Sequence, residues 1–210
     1  MENWTSALGS LAARAAPGPT AVTLRTAQSS DVGALLELIN GYAERGLLLW
    51  RSETSLRARL ADFVVAVQET ADGEEAVGCG ALERLGPGLG EVRSLAVRPD
   101  AAGRGVGHGI VRRLLQGARG LGLVEVLALT RRASFFEALS FVATRRERFT
   151  DKLETDCRHC PRNHCCDEVA MVAVSPYRIA PAARAARTPT IITPATGASQ
   201  GLRVVAGEGD

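Results

Sequence analysis

Residues 95–115 read Leu-Ala-Val-Arg-Pro-Asp-Ala-Ala-Gly-Arg-Gly-Val-Gly-His-Gly-Ile-Val-Arg-Arg-Leu-Leu, and no other stretch restricts the fold as strongly. The run opens as a buried strand, Glu91 to Val97, that stops at Arg98-Pro99-Asp100. Proline cannot donate to a strand ladder, and the residue before it is pushed out of the helical region. Glycines follow at 103, 105, 107 and 109, and then an apolar stripe of Val106, Ile110, Val111, Leu114, Leu115 and Ala118. That spacing is one face of a helix. The unit is therefore strand, glycine loop, helix. Its loop offers unpaired N–H groups and the positive end of a helix dipole, which suits a phosphate. A tight turn with no ligand is the other reading, but it needs fewer glycines.

The spacing separates kinds of phosphate loop. A Walker loop requires Gly-Lys and then Ser or Thr, and this loop has no lysine. Gly103-Arg-Gly105-Val-Gly107 is too tight for the dinucleotide pattern. Along the chain, Val22–Ala27 reads as a strand, and Ser29 or Ser30 should cap a helix striped by Val32, Leu35, Leu36, Ile39 and Ala43. A second short helix is expected from Ser52 to Leu60, with Ser52 as its cap. The apolar linker between them, Gly46 to Arg51, should fold over something. Strands at 62–68 and 75–82 are joined by Asp72-Gly73, and Gly86-Pro-Gly88 turns the chain into the strand before the loop. Leu123–Leu129 is apolar enough for a central strand, and Ala133–Leu139 is a brief helix. Phe141–Thr144 and Glu168–Val174 are the last strands, the latter expected at the sheet edge.

Composition narrows the class. The 210 residues suit one domain plus tails, with residues 1–19 a disordered leader, 20–175 the domain and 176–210 a disordered tail. A net charge of +2 gives no strong field for nucleic acid, and no apolar run reaches a membrane span. Without a secretory signal, and with five cysteines that form no obvious framework, a reducing cytoplasm is expected.

The loop resembles the acyl-CoA loop of the GNAT acetyltransferases, Gln/Arg-x-x-Gly-x-Gly after a strand ending in Val-x-Pro. Ala102-Gly-Arg-Gly105-Val-Gly107 matches in all but its first position. The element order βααβββαβαβ over about residues 22–145 is similar too. The resemblance implies an α/β (α+β) fold: a mixed central sheet with splayed strands and helices on both faces. More narrowly, four segments resemble the short single-domain N-acetylglutamate synthases. They are Tyr42–Ser52, Val77–Leu82, Glu91–Val97 and Asp156-Cys-x-x-Cys-Pro…Cys-Asp-Glu-Val-Ala-Met171. Ala128–Thr130 and Phe135-Phe136-Glu-x-Leu add to the likeness, while Ser140 stands where that family has glycine. This implies acetyl transfer from acetyl-CoA to the α-amine of an amino acid, glutamate first, as the opening step of arginine biosynthesis. Acetyl-CoA is then a co-substrate, and no metal is required.

The chemistry asks for a base, an oxyanion donor and a thiolate partner. The resemblance assigns the base to Glu91, whose other reading is a solvated residue closing the preceding turn. It assigns the oxyanion donor to backbone near Leu95. Leu95, Ala96, Val97, Gly103, Arg104, Gly105, Val106, Gly107 and His108 line the expected cofactor path. A tyrosine often stands after the fifth strand of such enzymes, but Phe135 and Phe136 occupy that region. The synthases place a hydroxyl at the end of the fifth strand, matched by Thr130, which is equally an ordinary β-branched strand end. The two carboxylates of glutamate call for guanidinium forks, and Arg51 and Arg93 are the candidates. Alternation places Arg93 on the same side as Glu91 and Leu95, where pairing with Glu91 would also satisfy it. Arg131 and Arg132 are further candidates for the mouth. The cluster Cys157, Cys160, Cys165 and Cys166, with His159 and His164, is open to structural zinc, redox chemistry or packing. Glutamine or another amine is the rival substrate, and an acyl-CoA sensor without turnover the rival class. A zinc-dependent regulatory or nucleic-acid module is a third reading. A homodimer is possible.

Overall fold

In the computed structural model the described residues are 21–160 and 163–174; the expected leader and tail lie outside them. Strand β1 (Val22–Thr26) leads through a 3₁₀ turn, Ser29–Asp31, into α1 (Val32–Glu44). Ser29 and Ser30 are not the cap. The Asp31 carboxylate accepts the Gln28 N–H at 2.6 Å and the Arg25 guanidinium at 2.7 and 2.9 Å. The turn opens at Gln28 instead, so both serines fall inside it, and the Asp31 carboxylate reaches back to the N–H of the opening residue. Burial works against this carboxylate, but the bonds from Arg25 and Gln28 outweigh it and hold its pKa below the ordinary value. Asp31→Ala should cost about 2 kcal/mol in urea denaturation. The folded pKa is the depressed one, so this contribution is present above the ordinary carboxylate range and lost as pH falls through the folded value. A loss below about 0.5 kcal/mol would mark the pair as a surface contact.

After α1, α2 (Glu53–Ala58) starts where expected, with Ser52 Oγ accepting the Ser55 N–H at 3.2 Å. Strands β2 (Phe63–Thr70), β3 (Gly73–Gly86) and β4 (Leu89–Val97) form an antiparallel meander through the two expected turns. Helix α3 (Val106–Gly120), β5 (Glu125–Thr130), α4 (Ala133–Glu137) and β6 (Val142–Thr144) follow. A short helix α5 (Thr150–Lys152) continues as a π-helical turn, Leu153–Cys157, before β7 (Val169–Val174).

Among the described residues seven strands form one sheet in the order β1-β2-β3-β4-β5-β7-β6, parallel only between β4 and β5. The last strand is therefore not at the edge. It inserts between β5 and β6, pairing Glu125–Thr130 on one side and Val142–Thr144 on the other. Ala170, Met171, Val172 and Ala173 are all buried there, and a run apolar on both faces belongs inside a sheet.

Both faces of the sheet are covered, because β2 is buried on each. Phe63, Val65 and Val67 pack with Val32, Leu35, Ile39 and Leu56 from α1 and α2. Val64 and Ala66 pack with Ile110, Val111 and Leu114 from α3. The linker after α1 meets its expectation only in part: Leu48 packs on the core, while Leu47, Leu49 and Trp50 are exposed. No helix among the described residues is long and apolar enough to cross a membrane.

Candidate active site

The site begins where β4 and β5 part. They pair only as Leu89↔Glu125, Gly90↔Val126 and Glu91↔Leu127, and then β5 is taken up by β7. Among the described residues the edge of β4 from Val92 to Val97 has no strand on that side, and a wedge opens between the two strands. Its N–H and C=O groups need partners, as all backbone polar groups do. Leu95, Ala96 and Val97 lie along this edge. At its mouth the Tyr42 hydroxyl, from α1, donates to the Val97 carbonyl.

The glycine loop closes the wedge beyond β4. Gly103 and Gly105 have φ of +76° and +80°, the left-handed region, and no atom lies within 4 Å of where a Cβ would sit on either. Glycine is therefore required by backbone conformation, while the space above stays open. Gly105 precedes the first turn of α3, so its neighbours direct amides outward. This open cradle of N–H groups fits a diphosphate. Arg104 is exposed at the rim, Val106 is buried beneath, and Gly107 packs against Phe135 and Val97. The His108 ring stacks on Phe135 with centroids 4.7 Å apart, and its buried Nε2 has no hydrogen-bond partner among the described residues. In Gly105→Ala the free loop should relax out of the left-handed conformation that coenzyme A must then restore, so binding should weaken by up to about 5- to 30-fold, the roughly 1–2 kcal/mol that left-handed alanine costs. Calorimetry measures this directly, and unchanged affinity would remove the loop's geometry as the cause.

Glu91 lies at the floor of the wedge and is only 3% exposed, which rules out the solvated-turn reading. Its Oε2 accepts from Lys152 Nζ at 2.6 Å, and Arg93 Nε stands 3.6 Å away. Burial pushes the Glu91 carboxyl above its ordinary value, and Lys152 and Arg93 pull it only part of the way back. Arg93 also meets Glu83 and, at 3.0 Å, Asp156. Burial disfavours its charge, but Glu91, Glu83 and Asp156 prevail and raise its pKa.

One expected orientation is overturned. Ser94 has φ of +51° and sits in a bulge, where three steps from Arg93 to Ala96 oppose two from Ala81 to Cys79. The extra residue flips the alternation, so Leu95 joins the α3 face and Ala96 the α1 face. Arg93 shares its side with Glu91 but not with Leu95. The bulge also re-aims Ser94, whose Oγ accepts Arg51 Nε at 3.2 Å.

Arg51 is set by its own backbone. The Asn40 amide accepts the Arg51 N–H at 2.9 Å and donates to the Arg51 carbonyl at 3.0 Å. Burial and the nearby Arg93 push its guanidinium below its ordinary pKa. Among the described residues no carboxylate lies within ion-pair distance of it. A half-buried cation without a carboxylate is a place for an anion.

Thr130 is buried at the end of β5, and its Oγ1 accepts the Arg132 N–H at 2.9 Å. Arg131 ties β5 to the linker, donating to the Gly46 carbonyl at 2.8 Å and meeting Asp167 at 3.1 Å. Phe136 is core, and the α4 helix ends at Glu137 rather than Leu139. Sequence reasoning gave no role to Lys152, Asp156 or Tyr42, although Tyr42 and Asp156 lie in segments that carry the resemblance. Lys152 had a signal, being the only lysine among 25 basic residues. Among the described residues no group of three or more His, Cys, Asp or Glu side chains is arranged to hold a metal ion. All five cysteines are free, and burial pushes Cys157 upward and Cys79 up to about 12.

Residues 35–143 match the Acetyltransferase (GNAT) family. An uncharacterized N-acetyltransferase of Chlorobaculum tepidum is 33% identical over 149 residues, covering 71% of this chain and 94% of the relative. An amino-acid acetyltransferase of Mycobacterium tuberculosis is 42% identical over 118 residues, covering 56% of this chain and 67% of the relative. An amino-acid acetyltransferase of Pseudomonas aeruginosa is 35% identical, but this chain spans only 28% of its length. Among solved structures, a Mycobacterium tuberculosis protein in complex with CoA and NLQ has a TM-score of 0.63 at 32% identity, covering 72% of this chain and 98% of that one. The N-acetylglutamate synthase of Neisseria gonorrhoeae, complexed with coenzyme A and N-acetyl-glutamate, has a TM-score of 0.61 at 25% identity, covering 74% of this chain and 35% of that one. With its splayed β4 and β5 and its glycine loop feeding α3, this chain belongs to the GNAT acetyltransferase family, whose co-substrate is acetyl-CoA.

Proposed function

We propose that the protein acetylates the α-amine of an amino acid, L-glutamate first, as the opening step of arginine biosynthesis. The observation that carries this reading is the juxtaposition at the wedge floor of buried Glu91 with half-buried Arg51, which has no carboxylate within ion-pair distance among the described residues. The relatives named amino-acid acetyltransferase, and the synthase structure with N-acetyl-glutamate, support it.

Acetyl-CoA supplies the activated acyl group, and residues 103–107 would hold its diphosphate through their amides. The acceptor reaches the site as an ammonium, which cannot attack until it loses a proton. Glu91 takes that proton, directly or through water, and burial makes its carboxylate more basic than usual. Donors on the unpaired edge of β4 near Leu95 meet the charge that develops on oxygen. Thr130 offers a hydroxyl to the leaving thiolate from the end of β5. Arg51 accepts a substrate carboxylate, with Arg93 behind it.

The test is a steady-state assay with acetyl-CoA and a panel containing glutamate, glutamine, aspartate and ornithine, following release of free thiol. Glutamate should give the largest kcat/KM. Turnover confined to glutamine or another amine would move the substrate within the class. Coenzyme A binding without thiol release on any amine would make the protein a sensor and overturn the reading.

A further inference from the structure

We propose that Lys152 is the positioning residue of the acid–base step, holding the Glu91 carboxylate ionised and oriented at the wedge floor. The inference rests on the acetyl-transfer reading above and assigns a residue that the reading does not need by itself.

The geometry is specific. Lys152 and Glu91 lie 61 positions apart, and their side chains, 5% and 4% exposed, meet at 2.6 Å. The second partner of Lys152 is Asp156, one turn on, at 2.7 Å. These contacts take two of the three ammonium protons, and the side chain is only 5% exposed. A lysine so held does not meet substrate; it acts on Glu91. Asp156 in turn reaches Arg93 at 3.0 Å, so the turn after α5 braces both charged residues of the β4 floor.

A buried carboxylate beside no cation would take up a proton and stop serving as a base. The groups facing Glu91 come from every element around it. They are Arg93 on β4, Glu83 on β3, Lys152 on α5, Asp156 and Cys157 on the π-helical turn, and Arg51 on the linker. Arg93 divides its charge among Glu91, Glu83 and Asp156, which leaves Lys152 as the closest cation to Glu91. In the proton transfer, an N–H bond of the acceptor ammonium breaks and the proton passes to a Glu91 oxygen. The electron pair stays on nitrogen as the nucleophile, and the proton is later returned to solvent.

The experiment is the pH profile of kcat/KM for the full chain with acetyl-CoA and its best amine, for wild type, Lys152→Met and Lys152→Arg. In Lys152→Met the acidic limb should move up by about 1–3 pH units, the range an opposite charge commands at this distance. Activity should then recover at high pH with coenzyme A affinity unchanged. Lys152→Arg keeps the cation and should keep the limb near its wild-type position. A uniform loss at every pH, or an unmoved limb, overturns the proposal. Should Lys152→Met fail to fold, the double variant Lys152→Met/Glu91→Gln, which removes both charges, decides. It should turn over at the rate of Glu91→Gln alone, and a further drop gives Lys152 a separate part and overturns the inference. A wild-type protein that acetylates no amine sinks the acetyl-transfer reading itself. A working wild type whose limb ignores Lys152 sinks only this proposal.

Discussion

Glu91→Gln should lower kcat by roughly 10²- to 10⁴-fold, the usual contribution of a positioned base, while coenzyme A binding stays near wild type. The substitution keeps the shape of the side chain and removes its capacity to accept a proton. Binding is spared because the diphosphate cradle is built by amides of the loop after β4, and Glu91 sits at the other end of that strand. The same reasoning sets a pH dependence. Burial raises the Glu91 pKa, and the reactive form is the carboxylate, so kcat/KM should fall as pH drops through that raised value. Pre-steady-state acetyl transfer separates this effect from product release. A kcat within about threefold of wild type across that range would leave Glu91 a structural member of the ion network, and the base would have to be sought elsewhere.

The second large effect falls on Arg51. Arg51→Ala should raise the KM for the amino acid by about 10- to 150-fold, from the roughly 1.5–3 kcal/mol of a charge-assisted hydrogen bond. The KM for acetyl-CoA should not move. The fold should survive, since the side chain donates only to Ser94 Oγ among the contacts described, and the Asn40 clip holds the Arg51 backbone rather than its side chain. Arg51→Lys should rescue poorly, because an ammonium cannot present the two parallel donors that a carboxylate takes. An unchanged amino-acid KM in Arg51→Ala would place the carboxylate site on Arg93 or Arg131 instead.

Glu91, Arg51 and Arg93 could be singled out from the sequence as candidates, but the relation among them could not. Alternation along β4 gave Arg93 and Glu91 a common side correctly, because two residues suffice for that inference. It failed two residues later, since the bulge at Ser94 adds one residue against β3 and local spacing carries no sign of it. The cap of α1 failed for a related reason. Serines are good caps by type, yet the chain opens a 3₁₀ turn at Gln28 with both serines inside it, and Asp31, held by Arg25, reaches back to the Gln28 N–H.

The strand, glycine loop and helix around residues 91–120 were determined by sequence alone, because each cause acts within a few residues. Proline ends the strand, glycines permit the left-handed loop, and the 3.6-residue stripe fixes the helix face. Tertiary structure decided what gathers at the floor of the wedge. Lys152 meets Glu91 across 61 positions, Arg51 meets Ser94 across 43, and β7 enters the sheet between β5 and β6. Such contacts follow from packing a whole sheet and burying its charges in pairs, which no local spacing encodes.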